Sequence, residues 1–495
     1  MTVPTVGIIG GGISGITAAV QLKKKMGIEA QIFEASDNFG GTWYQNTYPG
    51  CACDVPSHLY SLSFDLNPEW SQRFSPQPEI HAYLSKVANK HQLKKQTSFS
   101  TEVVQALWIE SERRWRLDWR QQGDTCVQSS FFDYIYVGVG SLRVAHIPEE
   151  FKGFQGTIVH TTHWDPTVDF TDKRVAIVGS GSSAIQAIPT LADAASVLYS
   201  YQRTPAWCII RKQYHYSALF KFFLRYVPFV ARIYRFYLFL LYELNYINFG
   251  YYSSYLGRLR RRKIEEQIRG RLEKSGRPDL VPALIPNYPP GCKRILQSEF
   301  YYEALCKDNV VLERTPIQSV EGRTITTQDG KEAEFDILVL ATGFDVQGYL
   351  GNLKIYGKDE KVSLNEQWQK GFPDTYKTVT INGYPNLFMI LGASSILGHN
   401  SVIIMGECQV DYSIRCMKYA IKHNLAAFEP EKRAQDEFVK NLKKAFEKTV
   451  WKGGCNSWYL NEEGDVTAIW SSTVTRFWLL LRKVDFSKFI TYKRV

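Results

Sequence analysis

Two apolar runs along the chain end in glycine-rich turns, and the pattern around them repeats. Near the start, TVGIIGGGISG carries an apolar strand pattern into Gly10 and Gly12. Much later, RVAIVGSGSSA does the same into Gly179 and Gly181. Each is followed, after a long interval, by a second matching run: residues 132–140 read FDYIYVGVG and residues 335–343 read FDILVLATG. A short continuous apolar run bounded by glycine is the pattern of a parallel strand buried on both faces. After the first turn the pattern becomes helical, in ISGITAAVQL. The chain therefore reads as an α/β protein with two Rossmann-like dinucleotide-binding domains, each opened by a glycine turn and closed by a late strand.

The repeat also suggests the boundaries. Residues 1–145 are expected to form the first part of one domain, and 146–213 with 289–344 the other. Residues 345–495, containing GYPNLFMILG and an amphipathic stretch at 406–424, are expected to complete the first. Residues 214–288 form a helical insert within the second domain, rich in Phe, Tyr, Leu and Arg. Its longest uncharged run, FYLFLLY at 236–242, falls well short of the roughly 18 residues a membrane span needs. Two readings stay open: a packed insert, favoured by the interruptions at Arg225, Arg232 and Arg235, or an interfacial amphipathic helix with peripheral membrane contact.

Composition narrows the choices. A chain 44% hydrophobic and 22% charged is globular, not disordered. The formal charge of +10 calls for an anionic ligand, a membrane surface or nucleic acid. The densest basic run, RLRRRK at 258–263, reads as a solvated helix face, so no nucleic-acid partner is expected. Nine cysteines show no metal-ligand spacing, and Cys51 and Cys53 make C-x-C, not C-x-x-C. They are expected to be reduced thiols of a cytoplasmic protein without a metal. The strand pattern beginning at Thr5 leaves no room for a signal peptide.

The glycine turns carry the candidate chemistry. Gly10 permits a tight turn, Gly12 lets the backbone approach a pyrophosphate, and Gly15 allows close helix packing. The next strand, AQIFE, ends at Glu34, where a carboxylate can hold ribose hydroxyls. The second fingerprint is Gly179, Gly181 and Ala184, followed by Ser182 and Ser183 at the helix start. Its strand, SVLYSYQRTPAW, ends without an acid, in Gln202, Arg203 and Thr204. A guanidinium forks onto a 2′-phosphate that a carboxylate would repel, so NADPH is expected there and FAD at the acid-ended site.

Several motifs match one family. GGTWYQNTYPGCACD at 40–54, with Gly41, Thr42, Trp43 and Asp54, resembles the flavin-loop motif of Baeyer–Villiger monooxygenases. FQGTIVHTTHWD at 154–165 is similar to that family's fingerprint, met by Phe154, Gly156, His160, Trp164 and Asp165. The likeness continues through QRTPAW, PPGCKR at 289–294 and ATGFD at 341–345, and so covers nearly the whole chain. Related monooxygenases of nitrogen or sulfur usually carry Phe or Tyr where Trp164 stands.

The resemblance implies roles. NADPH reduces the flavin, oxygen adds at its C4a carbon, and the resulting peroxide attacks a ketone to give an ester or lactone. Arg294 would supply the fixed positive charge that this anion needs, and Asp54 would hold the guanidinium in place. Lys293 would join Arg203 and Thr204 at the 2′-phosphate, and Ala341, Thr342 and Gly343 would border a cofactor. The 154–165 stretch would lie on the link between domains, with His160 and Trp164 serving as structural or hinge residues rather than catalysts. Gln45 and Thr47 depart from the bulkier or basic residues of many members, which touches pocket shape. GGCNSWYLNEEG from Gly453 resembles one branch without fixing the substrate.

Three rivals remain. Oxygenation of sulfur or nitrogen is opposed by Trp164 and Arg294. A flavin disulfide reductase needs a redox cysteine pair that C-x-C does not supply. A nucleotide-sensing protein would have no use for Asp54 and Arg294. Which ketone is oxidised, and the oligomeric state, are not encoded in these motifs.

Overall fold

The computed structural model describes residues 3–251, 255–455 and 457–494. Strand Val6–Ile9 is buried at every position, and its neighbours are Gln31–Phe33 and Tyr134–Val137, both parallel. Thr97–Ser98 extends this sheet beyond Gln31–Phe33, and Leu387–Met389 extends it beyond Tyr134–Val137. A strand near residue 388 thus joins a sheet begun at residue 6. Helix Ile13–Met26 covers it and packs on the long helix Val402–Lys422.

The second sheet is also five-stranded and parallel. Its order is Val310–Glu313, Val197–Tyr201, Arg174–Val178, Ile337–Leu340 and Thr157–His160. In both sheets the first strand of each repeat lies directly beside its late partner, Tyr134–Val137 or Ile337–Leu340. Both partners are wholly buried, which is why their sequences show no polar alternation. The protein is therefore a doubly built α/β fold. A mixed four-stranded sheet, built on the antiparallel pair Thr101–Ile109 and Arg114–Gln121, adds a satellite core around Trp108 and Trp115.

The glycines of the first turn have steric reasons. Gly10 has φ +105°, and a Cβ there would lie 2.5 Å from the Gly138 carbonyl oxygen. A Cβ on Gly15 would lie 1.9 Å from the Gly10 carbonyl oxygen, so the helix can seat on the turn only without a side chain.

The insert forms four α-helices among the described residues: Ala218–Tyr226, Val230–Phe249, Tyr255–Lys274 and the single turn Val281–Leu284. Leu224, Leu238, Tyr246, Ile264, Ile268 and Leu272 bury its inner side. The packed reading holds for that side alone, because the outer side is bare.

Two expectations need correction. The stretch at 154–165 is more than a link: Thr157–His160 is the edge strand of the second sheet, with His160 in register with Leu340. Edge pairing across some 180 residues leaves no local periodic signal. Nor are all cysteines thiols. Cys292 and Cys455, separated by 163 residues, form a disulfide, and the other seven are free. The fold joins PPGCKR to the GGC segment at 453–455, a proximity that spacing along the chain cannot reveal. Asn456, within that second motif, lies outside the described residues.

Candidate active site

Both glycine turns open onto one cavity of about 1220 Å³. Helices Ile13–Met26 and Ser182–Ala194 begin at its wall, with Gly12 and Gly181 as their N-caps and no capping side chain on either. Their first backbone N–H groups are therefore not claimed by a cap, and the positive dipole ends face the cavity. A Cβ on Gly12 would meet only Gly41, at 3.5 Å, and one on Gly181 would meet nothing within 4 Å. Open backbone at a helix start is what a pyrophosphate needs. The two turns fit two dinucleotides.

From the first unit, Gly10, Gly12, Glu34, Gly41, Thr42, Trp43 and Asp54 line this cavity. From the second come Gly179, Gly181, Ser182, Ser183, Arg203, Thr204, Lys293, Arg294, Ala341, Thr342 and Gly343. Gly15 does not reach it and acts beneath the turn. Glu34 is buried at the end of Gln31–Phe33, where its carboxylate accepts from the Gly11 and Ser36 N–H groups. Those two bonds fix it at the cavity wall.

At the other nucleotide site, the Ser180 hydroxyl donates to the Thr204 carbonyl at 2.7 Å and ties the turn to the strand end. Arg203 is exposed, and Lys293 is half-buried above the Tyr288 ring. Burial, and then the charge of Arg203, lower the Lys293 pKa. Two cations held close together favour a doubly charged anion between them.

The centre of the cavity wall is an ion pair formed across 240 residues of chain. Arg294 donates from Nε to Asp54 Oδ2 at 2.5 Å and from Nη2 to Oδ1 at 2.6 Å, with Nη1 donating to the Leu397 carbonyl at 3.1 Å. The side chains of Arg294 and Asp54 are 25% and 22% exposed. Burial alone would raise the Asp54 pKa, but the guanidinium outweighs it and holds the group below the ordinary value. Conversely, burial opposes the Arg294 charge, and Asp54 more than offsets it. The result is a permanently charged guanidinium with its plane set by a two-point fork.

Several neighbours carried no motif in the sequence reading. The Tyr48 hydroxyl donates to the Gln186 side-chain carbonyl at 2.8 Å, and Gln186 Nε2 donates to the Ala52 carbonyl at 3.0 Å. These bonds pin the flavin loop to helix Ser182–Ala194. The one available signal was Gly50 of the YPG motif, at φ +79°, where a Cβ would lie 2.3 Å from the Gln186 carbonyl oxygen. Trp43 donates from Nε1 to the Tyr60 hydroxyl at 2.9 Å. Behind Arg294, buried His399 has Nε2 4.0 Å from Glu243 of the insert, and Glu243 accepts from the Asn400 amide. Burial pushes the His399 pKa down to about 4; Glu243 opposes this, and Arg294 reinforces it.

The 154–165 residues stand apart, and none lines the cavity. Phe154 is buried in the core of the second sheet, and Gly156 leaves room for its ring and for the Asp336 carbonyl. His160 Nδ1 accepts from the Thr162 N–H at 3.1 Å, and burial lowers its pKa to about 4. Trp164 stacks on Phe170 with centroids 5.2 Å apart, and Asp165 caps the Thr167 N–H. The disulfide residues do not line the cavity either. The cysteines that do, Cys51 and Cys53, are free thiols in C-x-C spacing whose pKa values burial raises, Cys51 to about 11, which disfavours the thiolate a disulfide reductase needs.

Comparison with known proteins agrees with this geometry. A family model described as flavin-binding monooxygenase-like matches residues 4–248. A Baeyer–Villiger monooxygenase of Pseudomonas aeruginosa is 35% identical over 491 residues, covering 98% of this chain and 90% of that protein. The structure of an oxidised steroid monooxygenase bound to NADP is similar at 28% identity, with a TM-score of 0.84 over 99% of this chain and 100% of that one. OTEMO in complex with FAD and NADP is similar at 26% identity, with a TM-score of 0.85 over 99% of each chain. With two nucleotide turns sharing one cavity and relatives matched along nearly the whole length, the chain belongs to the Baeyer–Villiger monooxygenases, FAD- and NADPH-dependent enzymes.

Proposed function

We propose that this enzyme uses NADPH and O2 to insert one oxygen atom beside the carbonyl of a small-molecule ketone, giving an ester or lactone. The observation that carries the reading is the Asp54–Arg294 fork set between two dinucleotide turns in one cavity. Bound at the first turn, FAD would take a hydride from NADPH and supply the electrons that activate O2, one oxygen atom going to the ketone and the other leaving as water. Arg294 stabilises the negative charge that develops there, because a guanidinium cannot neutralise by losing its proton. Asp54 keeps the guanidinium oriented, and the Leu397 carbonyl fixes its third edge. Gly10, Gly12 and Gly41 with Glu34 and Trp43 hold the flavin nucleotide; Gly179, Gly181, Ser182, Arg203, Thr204 and Lys293 hold NADPH.

On this reading residues 1–145 with 345–495 form the FAD domain, and 146–213 with 289–344 the NADP domain. Phe154, Gly156, His160, Trp164 and Asp165 set the edge of the NADP sheet rather than performing bond chemistry. We place the enzyme in the cytoplasm, with peripheral contact to a membrane. Among the described residues no helix is long and apolar enough to cross one. The test is incubation of purified enzyme with NADPH, O2 and a panel of linear, cyclic and aromatic ketones, with products identified by mass. Product heavier by one oxygen, formed only with NADPH, is expected. Oxidation confined to sulfides or amines would favour the heteroatom-oxygenating alternative.

A further inference from the structure

Thirteen large apolar side chains at residues 219–247 are left 38% to 68% exposed. They are ordered. On helix Val230–Phe249 the bare apolar positions are Ile233, Phe236, Tyr237, Leu240, Leu241, Leu244 and Ile247, one continuous helical stripe. The opposite face of the same helix carries Leu238 and Tyr246 into the core. Helix Ala218–Tyr226 does the same, burying Leu224 and exposing Leu219, Phe222, Phe223 and Tyr226 at the same spacing. The two helices touch, with Phe220 edge-on to Tyr234 at 5.1 Å, so both turn an inner stripe to the body and an outer one to water. At the tip between them Phe229 adopts φ +67°, a conformation unfavourable for a bulky residue, and holds its ring 68% exposed. With about 200 Å² per side chain, the outer stripes amount to on the order of 1,000 Å² of apolar surface, beyond the 300–600 Å² of an ordinary monomer's largest patch.

Charge selects the occupant. Residues 214–277 hold thirteen Lys and Arg against four Glu, a net +9 in a chain whose formal net charge is +10. Exposed Arg232 lies on the second helix, and exposed Arg260, Arg262, Lys263 and Arg269 lie on the next, Tyr255–Lys274. Helix Val474–Leu481, whose first N–H groups bond to Glu243 of the insert, adds bare Trp478 with Arg482 over its ring at 5.0 Å. A second copy would bring the same charge to the same face and be repelled. An apolar, aromatic surface flanked by cations fits a layer that is apolar inside and anionic at its surface.

We propose that the outer face of the 218–249 hairpin docks on an anionic lipid bilayer, sinking Phe222, Phe229, Phe236 and Leu240 among the acyl chains while the 258–269 cations meet the headgroups. This rests on the peripheral contact proposed above and gives that contact a surface and a lipid chemistry.

The experiment is co-sedimentation of FAD-loaded enzyme with vesicles of phosphatidylcholine alone or with 30% phosphatidylserine. Stronger retention on the anionic vesicles, weakened by salt, is expected. Arg262→Ala with Lys263→Ala should weaken partitioning by ~25-fold, at roughly fivefold per charge. Phe236→Ser with Leu240→Ser should abolish it, and both changes are on solvent-facing positions that the fold does not need. Equal retention on both vesicle types would overturn the anionic chemistry. Failure to bind either type would overturn the contact itself, and so would concentration-dependent self-association that the serine variant breaks. Oxidation of a water-soluble ketone by the same samples without lipid is read separately: unchanged activity in the variants is expected, and inactivity with binding intact counts against the ketone reaction alone.

Discussion

Replacing Arg294 by alanine removes a guanidinium held by two bonds to Asp54 and one to the Leu397 carbonyl. Two effects follow, and they can be separated. The first is on stability. Leaving one member of a buried pair unpaired costs about 3–5 kcal/mol, but both side chains are about a fifth to a quarter exposed, so about 1–3 kcal/mol is expected here. The second is on chemistry. A fixed charge beside a developing anion contributes about 4 kcal/mol, or about a thousandfold in rate at about 1.4 kcal/mol per decade. Removing Asp54 as well should recover most of the lost stability, since no carboxylate is then left unpaired, yet recover none of the rate. Arg294→Lys restores charge without the fork and should recover little activity. The assays are thermal melting, anaerobic reduction of the flavin by NADPH, and product yield under oxygen. FAD binding and reduction should persist while ester formation falls below about 0.1% of parent. Ester formation by Arg294→Ala within tenfold of parent would mean that the charge acts elsewhere.

Other consequences can be measured directly. Arg203→Ala should lose roughly 10- to 100-fold in preference for NADPH over NADH by kcat/KM, the worth of one charge-assisted bond; equal use of both nucleotides by the parent would refute the assignment. His58, His160 and His399 all have pKa values lowered to about 4, chiefly by burial. Each folded pKa lies below the unfolded 6.5, so the unfolded chain binds more protons between pH 6.5 and 4. Stability should therefore fall on acidification through that window, by about 1 kcal/mol per pH unit for each histidine, and a melting temperature constant from pH 7 to 5 would contradict it. A non-reducing digest should yield a Cys292–Cys455 cross-linked peptide, and reduction should lower stability by roughly 2–4 kcal/mol; nine titratable thiols in denaturant without reductant would exclude the bond.

The parts of the fold legible in the sequence are those whose causes are local. Val6–Ile9 and Ile337–Leu340 are apolar throughout because parallel strands are covered on both faces, and their glycine turns follow from sterics within a few residues. The Asp54–Arg294 pair was legible only through motif resemblance, since nothing local predicts contact across 240 residues. Three features were closed to such reading. The Cys292–Cys455 bond depends on two turns meeting, and Thr157–His160 pairs with a strand far along the chain. Helix Val230–Phe249 is apolar on both faces, so its periodicity could not say which side meets the core.

The placement of the ion pair has a further structural reason. Asp54 lies between helices Thr42–Gln45 and Gln77–Lys90 of the first unit, and Arg294 just precedes strand Leu296–Gln297, which pairs with Cys208–Ile209 beyond the second sheet's Val197–Tyr201. Neither could hold the other unless the two units were fixed in register. Gln186 supplies that fixation, bonding Tyr48 and Ala52 from the helix that begins at the second glycine turn. Gly50 lets the loop approach close enough for those bonds, since any side chain there would strike the Gln186 carbonyl. Gln297 adds a bond to the Asp54 carbonyl at 3.2 Å, and the Cys292–Cys455 bond holds the other flank of Arg294. The charge is thus positioned by contacts crossing between the units, so its geometry reports their relative placement. The helix whose start faces the site proposed for the nicotinamide nucleotide also carries Gln186. Nucleotide seating and guanidinium orientation therefore share one rigid element, which is a physical basis for coupling the nucleotide to the state of Arg294 without any direct contact between them.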